Sequence, residues 1–287
     1  MMLHRLVLKH YLENYSKEDN YMQLDIYQVD AFANKLFEGN PAAVCPLDFW
    51  PEDELLQSIA LENNLSETAF YVTDQGGFHL RWFTPATEVR LCGHATLATA
   101  HILFNELNQE TDSIHFNTLS GMLSVSKMDN GQYIMDFPSD HPEKVIDQDI
   151  KSKIHNVLNA EVKEYWKGKD DYLIILENDE DIIDLQPDFR AIAQLQSRGL
   201  IVTAPSNKIS CDFISRGFFP QCGINEDPAT GSAHTLLTPY WSPRLKTNKL
   251  KAIQWSQRKG YFECIYKGKR TALIGKAITF MKGKIEV

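Results

Sequence analysis

The sequence predicts an α+β protein of two similar halves, each a curled, mostly antiparallel sheet around a central helix. Three observations carry that reading. Arg81-Trp82-Phe83-Thr84-Pro85 in the first half returns as Arg216-Gly217-Phe218-Phe219-Pro220 in the second. Eight residues beyond Pro85 stand Gly93-His94-Ala95, and eleven beyond Pro220 stand Gly231-Ser232-Ala233, each opening an apolar run. With a three-residue insertion the halves superpose, and so long a period marks a duplicated domain rather than a solenoid. Around both runs lie short apolar segments bounded by Gly, Asn and Asp, the punctuation of strands joined by turns.

Taken in order, residues 1–21 read as an extension to the fold. Leu3, Leu6, Val7 and Tyr11 fall at helical spacing there. His, Arg and Lys interrupt the segment and no small-residue cleavage site follows, so it does not read as a signal peptide. Residues 22–138 form the first half, with strands expected at 22–30, 42–46, 68–73, 78–83, 113–117, 121–128 and 132–137. Asp129-Asn130-Gly131 is the clearest hairpin turn among them. A helix is expected over 51–64, with Pro51 near its first turn. After Gly93 the apolar positions Ala95, Ala98, Ile102, Leu103 and Leu107, widened by Leu97 and Ala100, cover most of a helix surface, which implies burial. Residues 139–287 form the second half. Strands are expected near 161–167, 171–177, 199–204, 209–216, 251–256, 260–266 and 271–281, the last free to cross to the first half. Helices are expected near 148–158 and 187–196. Pro239, inside the second apolar run, should kink or shorten that helix.

Composition narrows the function. The 287 residues are 43% hydrophobic and 23% charged, an ordinary globular balance. Net charge is −9 with no basic block, which argues against nucleic acid and anionic membrane as partners. No apolar run reaches the roughly 18 residues of a membrane span. Five scattered cysteines (45, 92, 211, 222, 264), odd in number and without a CxxC, fit reduced thiols in a cytoplasmic protein rather than a disulfide frame.

Chemistry concentrates in NLSETAF (64–70), LCGHATLA (91–98) and EDPATGSAH (226–234). Glu67 is set among Leu65, Ala69 and Phe70, and apolar walls tune a carboxyl toward general-base work. A solvated turn carboxylate is the bland alternative. His94, at the opening of a buried helix, is expected as a neutral ring, because a helix N-terminus disfavours imidazolium. Asp227 and Ser232 read as helix caps that also face a ligand. If Gly93 and Gly231 both open on one cleft, two positive helix ends would hold a substrate carboxylate. Arg258, in WSQRKG, is a candidate fork for the same group. His94 and His234 lack a third ligand at plausible spacing, so no metal is expected. A racemase using Cys92 as one base is the main rival reading, but the echo places Thr230, not a thiol, opposite it. A non-catalytic interaction protein on the same scaffold is the other.

From about residue 22 onward the chain resembles the PhzF-type phenazine biosynthesis family of isomerases. YQVDAF, EGNPAAV, NLSETAF, RWFTPATEVRLCGHATLA, EDPATGSAH and GKAITFMKGKIEV carry the likeness, closest in wording to the phenazine biosynthesis-like branch. The resemblance implies a diaminopimelate epimerase-like fold with the active site between the halves. It implies Glu67 as acid/base, His94 and Asp227 as catalytic partners, and Gly93, Gly231 and Ser232 at the substrate. It further implies a proton-moving isomerisation of a small carboxylate without cofactor or metal, and a homodimer. CGHAT and WSQRKG depart from the founding phenazine enzyme, so the catalytic frame carries over and the substrate does not.

Overall fold

A computed structural model describes residues 22–287, so the helix expected in the first 21 lies outside the described residues. The elements run β1 (Gln23–Ala31), β2 (Asn40–Leu47), α1 (Asp53–Asn63), β3 (Glu67–Asp74), β4 (Gly77–Phe83), β5 (Glu88–Val89) and α2 (Gly93–Asn105). Then come β6 (Ser113–Thr118), β7 (Gly121–Lys127), β8 (Tyr133–Pro138), β9 (Glu143–Lys144), α3 (Gln148–Leu158), β10 (Glu164–Lys167) and β11 (Asp171–Ile175). The remainder is α4 (Asp179–Ile183), α5 (Phe189–Ile192), β12 (Gly199–Pro205), β13 (Phe213–Phe218), α6 (Gly231–Leu245), β14 (Lys249–Gln254), β15 (Gly260–Tyr266), β16 (Arg270–Gly275) and β17 (Ala277–Glu286).

The strand pairings prove the duplication. From β8 outward the neighbours are β7, β6, β4, β3, β2, β1 and β17, with β4–β6 and β2–β3 parallel and the rest antiparallel. From β16 outward they are β15, β14, β13, β12, β11, β10 and β9, with β13–β14 and β11–β12 parallel. The two sequences of parallel and antiparallel steps are identical, and β8 pairs with β16 to join them. The echoed arginines repeat their contacts as well. Arg81 forks onto Glu88 at 2.7 and 2.8 Å, and Arg216 onto Glu226 at 2.7 and 2.9 Å. Each guanidinium lies 5.1 Å over a phenylalanine ring, Phe83 or Phe218.

Each half wraps its inner face on one helix. In α2 every residue from His94 to Phe104 is buried, as the all-round apolar pattern requires. The α6 side chains Ala233, Leu236, Leu237, Tyr240 and Trp241 join the same core. On the outer faces, α1 packs on β2 and β3, and α3, α4 and α5 cover the second sheet.

Three expectations are corrected. The single strand at 271–281 is two, β16 and β17, broken at Lys276. Gly275 there approaches Phe32 so closely that a Cβ would lie 2.4 Å from its ring. The helix at 187–196 shrinks to Phe189–Ile192, capped by the Asp188 carboxylate on the N–H groups of Arg190 and Ala191. Finally, Pro239 does not shorten α6, which runs on to Leu245. The Thr235 carbonyl, deprived of its helical partner by the proline, accepts the Asp140 N–H at 3.0 Å instead.

Candidate active site

The two central helices begin face to face: a Cβ built on Gly93 would lie 3.8 Å from the Gly231 Cα. Cys92 and Thr230 are the N-caps, and neither helix start is capped by a side chain or carries an acid in its first turn. The expected capping by Asp227 and Ser232 is therefore absent. Two uncapped helix ends leave backbone N–H groups and positive dipole ends at one seam.

Glu67 opens β3 at this seam, with its side chain 14% exposed. Its Oε2 lies 3.1 Å from His94 Nε2, an ionic contact without a well-aligned hydrogen bond, so this buried oxygen keeps its lone pairs for a proton. His94, the second residue of α2, thus sits against Glu67 rather than opposite it. Burial pulls the His94 pKa down, but Cys92 and Glu67 beside it raise it well above the ordinary 6.5. This corrects the neutral ring expected from the helix dipole: a carboxylate in contact outweighs half a charge shared over a helix end. The sign follows by linkage. A ring whose folded pKa is raised adds stability that is fully present below pH 6.5 and is lost as pH rises through the folded value. The stability difference between the native chain and His94→Asn should therefore shrink toward alkaline pH in urea titrations. A difference independent of pH would show that the ring is not charged in the folded state.

Asn40 joins the halves, and the motif reading missed it. Its Nδ2 lies 3.2 Å from His94 Nδ1, 2.9 Å from Asp227 Oδ1 and 3.2 Å from the Ala229 carbonyl. The preceding Gly39 has φ +66° and a Cβ there would lie 2.1 Å from the Ala31 oxygen, so only glycine delivers Asn40 to this place. Arg258 is corrected in the same region. Its guanidinium donates to Asp30 Oδ1 at 2.6 Å, to the Gly39 carbonyl at 2.9 Å and to the Glu38 carbonyl at 3.0 Å. It braces the turn that carries Asn40, because a buried Asp30 offers it a partner within the chain.

Asp227 is buried, and desolvation raises its pKa against the opposing pull of His94, Thr230 and Asn40. The Thr230 hydroxyl donates to its Oδ2, and Gln254, also unforeseen, donates to its carbonyl at 2.7 Å. Ser232 accepts from Arg198 at 3.1 Å. Cys92 is buried with its thiol 3.5 Å from His94 Nδ1, and burial pushes that thiol up to about 11. All five cysteines are free. His234 Nδ1 faces the Thr230 carbonyl and its ring stacks on Phe262, so it takes no part. The donors able to hold a metal are instead Glu67, Cys92 and His94, whose ligand atoms lie within 4.8 Å of one another. This trio does not include His234, so it is a different set from the histidine pair weighed in the sequence.

Two duplicated half-sheets whose central helices begin face to face, with Glu67 and Asp227 at the seam, make an epimerase-like fold. The chain belongs to the phenazine biosynthesis-like family, whose model matches residues 29–283. It is 48% identical to an uncharacterized isomerase of Pseudomonas aeruginosa over 93% of this chain and all of that protein. A human phenazine biosynthesis-like domain-containing protein is 38% identical over 83% of this chain and 90% of that one. The crystal structure of a PhzF-family phenazine biosynthesis protein from Enterococcus faecalis matches with TM-score 0.88 at 43% identity, covering 93% of this chain and all of that one. A hydroxyproline epimerase from Agrobacterium vitis shares the fold at 9% identity, with TM-score 0.59 over 92% and 93% of the two chains. No helix among the described residues is long and apolar enough to cross a membrane.

Proposed function

We propose that the protein is a cofactor-independent isomerase that moves a proton between two carbons of a small carboxylic acid, with Glu67 as the only acid/base. The observation that carries this reading is the sheltered Glu67 carboxylate, in contact with His94 and with one oxygen free of hydrogen bonds, beside two uncapped helix starts. The helix ends hold the substrate carboxylate. Glu67 takes a proton from one carbon, and the electron pair left behind is delocalised into the adjoining π-system. The charged His94 ring and the N–H groups of the seam stabilise the negative charge that develops. The now neutral Glu67 returns the proton to a second carbon, so the double bond shifts and the carboxylate is regenerated.

The rival racemase reading has Cys92 on one face. Its counterpart in the echo is Thr230, whose hydroxyl is committed to Asp227, so a second base is missing. A screen of small unsaturated carboxylic acids in D2O tests the proposal. Native protein should incorporate deuterium at carbon in at least one acid, with the double bond displaced. Exchange with inversion and no displaced double bond would instead support the racemase.

A further inference from the structure

The duplication gives every residue of the site a counterpart, and one counterpart has acquired a different charge. Phe83 of β4 pairs with Thr68 of β3, and its echo Phe218 of β13 pairs with Leu200 of β12. Thr68 thus corresponds to Leu200, Glu67 to Gly199, and Ser66 to Arg198. His94 and Ser232 are likewise the second residues of α2 and α6. In the first half an acid at the start of β3 meets the second helix residue at 3.1 Å, Glu67 on His94. In the second half a cation just before β12 meets it at 3.1 Å, Arg198 on Ser232. The counterpart of Glu67 itself is Gly199, so the second half has no acid there, and the residue before it supplies a guanidinium instead.

Arg198 is built to present that charge. Its Nε donates to Asp171 Oδ1 at 3.0 Å and its Nη2 to Asp171 Oδ2, a fork on a carboxylate only 5% exposed. Its backbone N–H bonds the Asp170 carbonyl at 2.8 Å, and its guanidinium lies 5.5 Å over the Phe219 ring. Among the described residues Nη1 has no hydrogen-bond partner, and the side chain is 38% exposed. Cys222 marks the position of this group. Its exposed thiol lies 3.9 Å from the Arg198 carbonyl, and burial raises its pKa while the nearby guanidinium lowers it.

We propose that Arg198 receives a carboxylate of the substrate, so that acids rather than their amides or esters are held with the anion in the C-terminal half and the reacting carbons toward Glu67. This rests on the isomerase reading for the reaction, not for the binding. A guanidinium with one edge clamped and the other open gives planar recognition of a carboxylate that a helix end alone does not.

Alkylation of Cys222 by iodoacetamide, followed by peptide mass spectrometry, tests binding without turnover. Benzoate and succinate at millimolar concentration should slow the modification several-fold, at least about fivefold at saturation, and their amides should not. Glu67→Gln should keep this protection, which separates anion binding from proton chemistry. Arg198→Met should lose it, and Arg198→Lys should keep only part, since an ammonium lacks the fork. Because Arg198→Met leaves Asp171 buried without its partner, the neutral pair Asp171→Asn/Arg198→Met serves as the folded control and should also lose protection. Equal protection by the amides, no protection of the native chain by either acid, or full protection in the double variant would overturn the assignment.

Discussion

Glu67→Gln should lower carbon-proton exchange by about three to four orders of magnitude while the protein folds normally and binds carboxylates within roughly tenfold of native, about 1.4 kcal/mol. The substitution keeps the side chain's size and one oxygen, so the packing around a group 14% exposed is little disturbed. On the proposed mechanism the variant loses its acceptor of a carbon-bound proton, since Cys92 and Glu67 favour the charged form of His94 and Asp227 accepts from Thr230 and Asn40. Loss of the carboxylate also removes the partner that helps hold charge on His94, so the pH profile of unfolding should flatten in the same variant. Near-native exchange in Glu67→Gln would end the single-carboxylate mechanism. An intact rate accompanied by failure in Cys92→Ala would restore the thiol in its place.

The sequence made the duplication legible because its markers are residues with little freedom. A glycine turn, an arginine forked onto a glutamate and a phenylalanine beneath it recur at a spacing that substitution has not blurred. The same echo put Gly93 and Gly231 opposite each other, as the structure does. Long-range partners were not legible. Arg258 carried the right charge for a substrate fork, but nothing local announces that Asp30, some two hundred residues earlier, is buried and waiting for it. Arg198 was overlooked for the converse reason. Its correspondence to Ser66 lies in strand register, with no shared residue type to betray it. The single strand expected at 271–281 failed because an apolar run conceals a break unless one knows that Phe32 occupies the space beside Gly275. Asn40 lies within EGNPAAV, where the family pattern hides its individual role. A signal was present: a glycine directly before an Asn-Pro pair marks backbone that must be bent to a purpose.

Asn40→Leu should be the most damaging substitution that removes no ionisable group. Asn40 is fully buried, and its Nδ2 reaches groups in both halves of the molecule, lying 3.2 Å from His94 Nδ1 and donating to Asp227 Oδ1 at 2.9 Å. Leucine keeps the branching and number of heavy atoms and is somewhat larger, so no cavity forms. The loss is electrostatic. Asp227, buried and already resisting ionisation through desolvation, would keep only the Thr230 hydroxyl among its side-chain donors. A buried charged acceptor left short of a donor costs about 3 kcal/mol, which for a chain of this size lowers the melting temperature by about 6–12 °C. The catalytic effect is separable from the thermal one. Without the amide, only the Cys92 thiol is left beside His94 Nδ1 to fix the ring against Glu67, and exchange in the folded fraction should fall by about a hundredfold with ligand affinity little changed. Asn40→Asp makes the complementary test. It keeps the shape but places a carboxylate 2.9 Å from Asp227, where the native amide stands, and like charges at that distance force one to remain protonated. Its stability should therefore recover as the pH is lowered, and by more than in the leucine variant, where protonation of Asp227 relieves only the missing donor. If both variants melt like native and exchange at the native rate, Asn40 is only a turn residue and the network across the seam is not part of the catalyst.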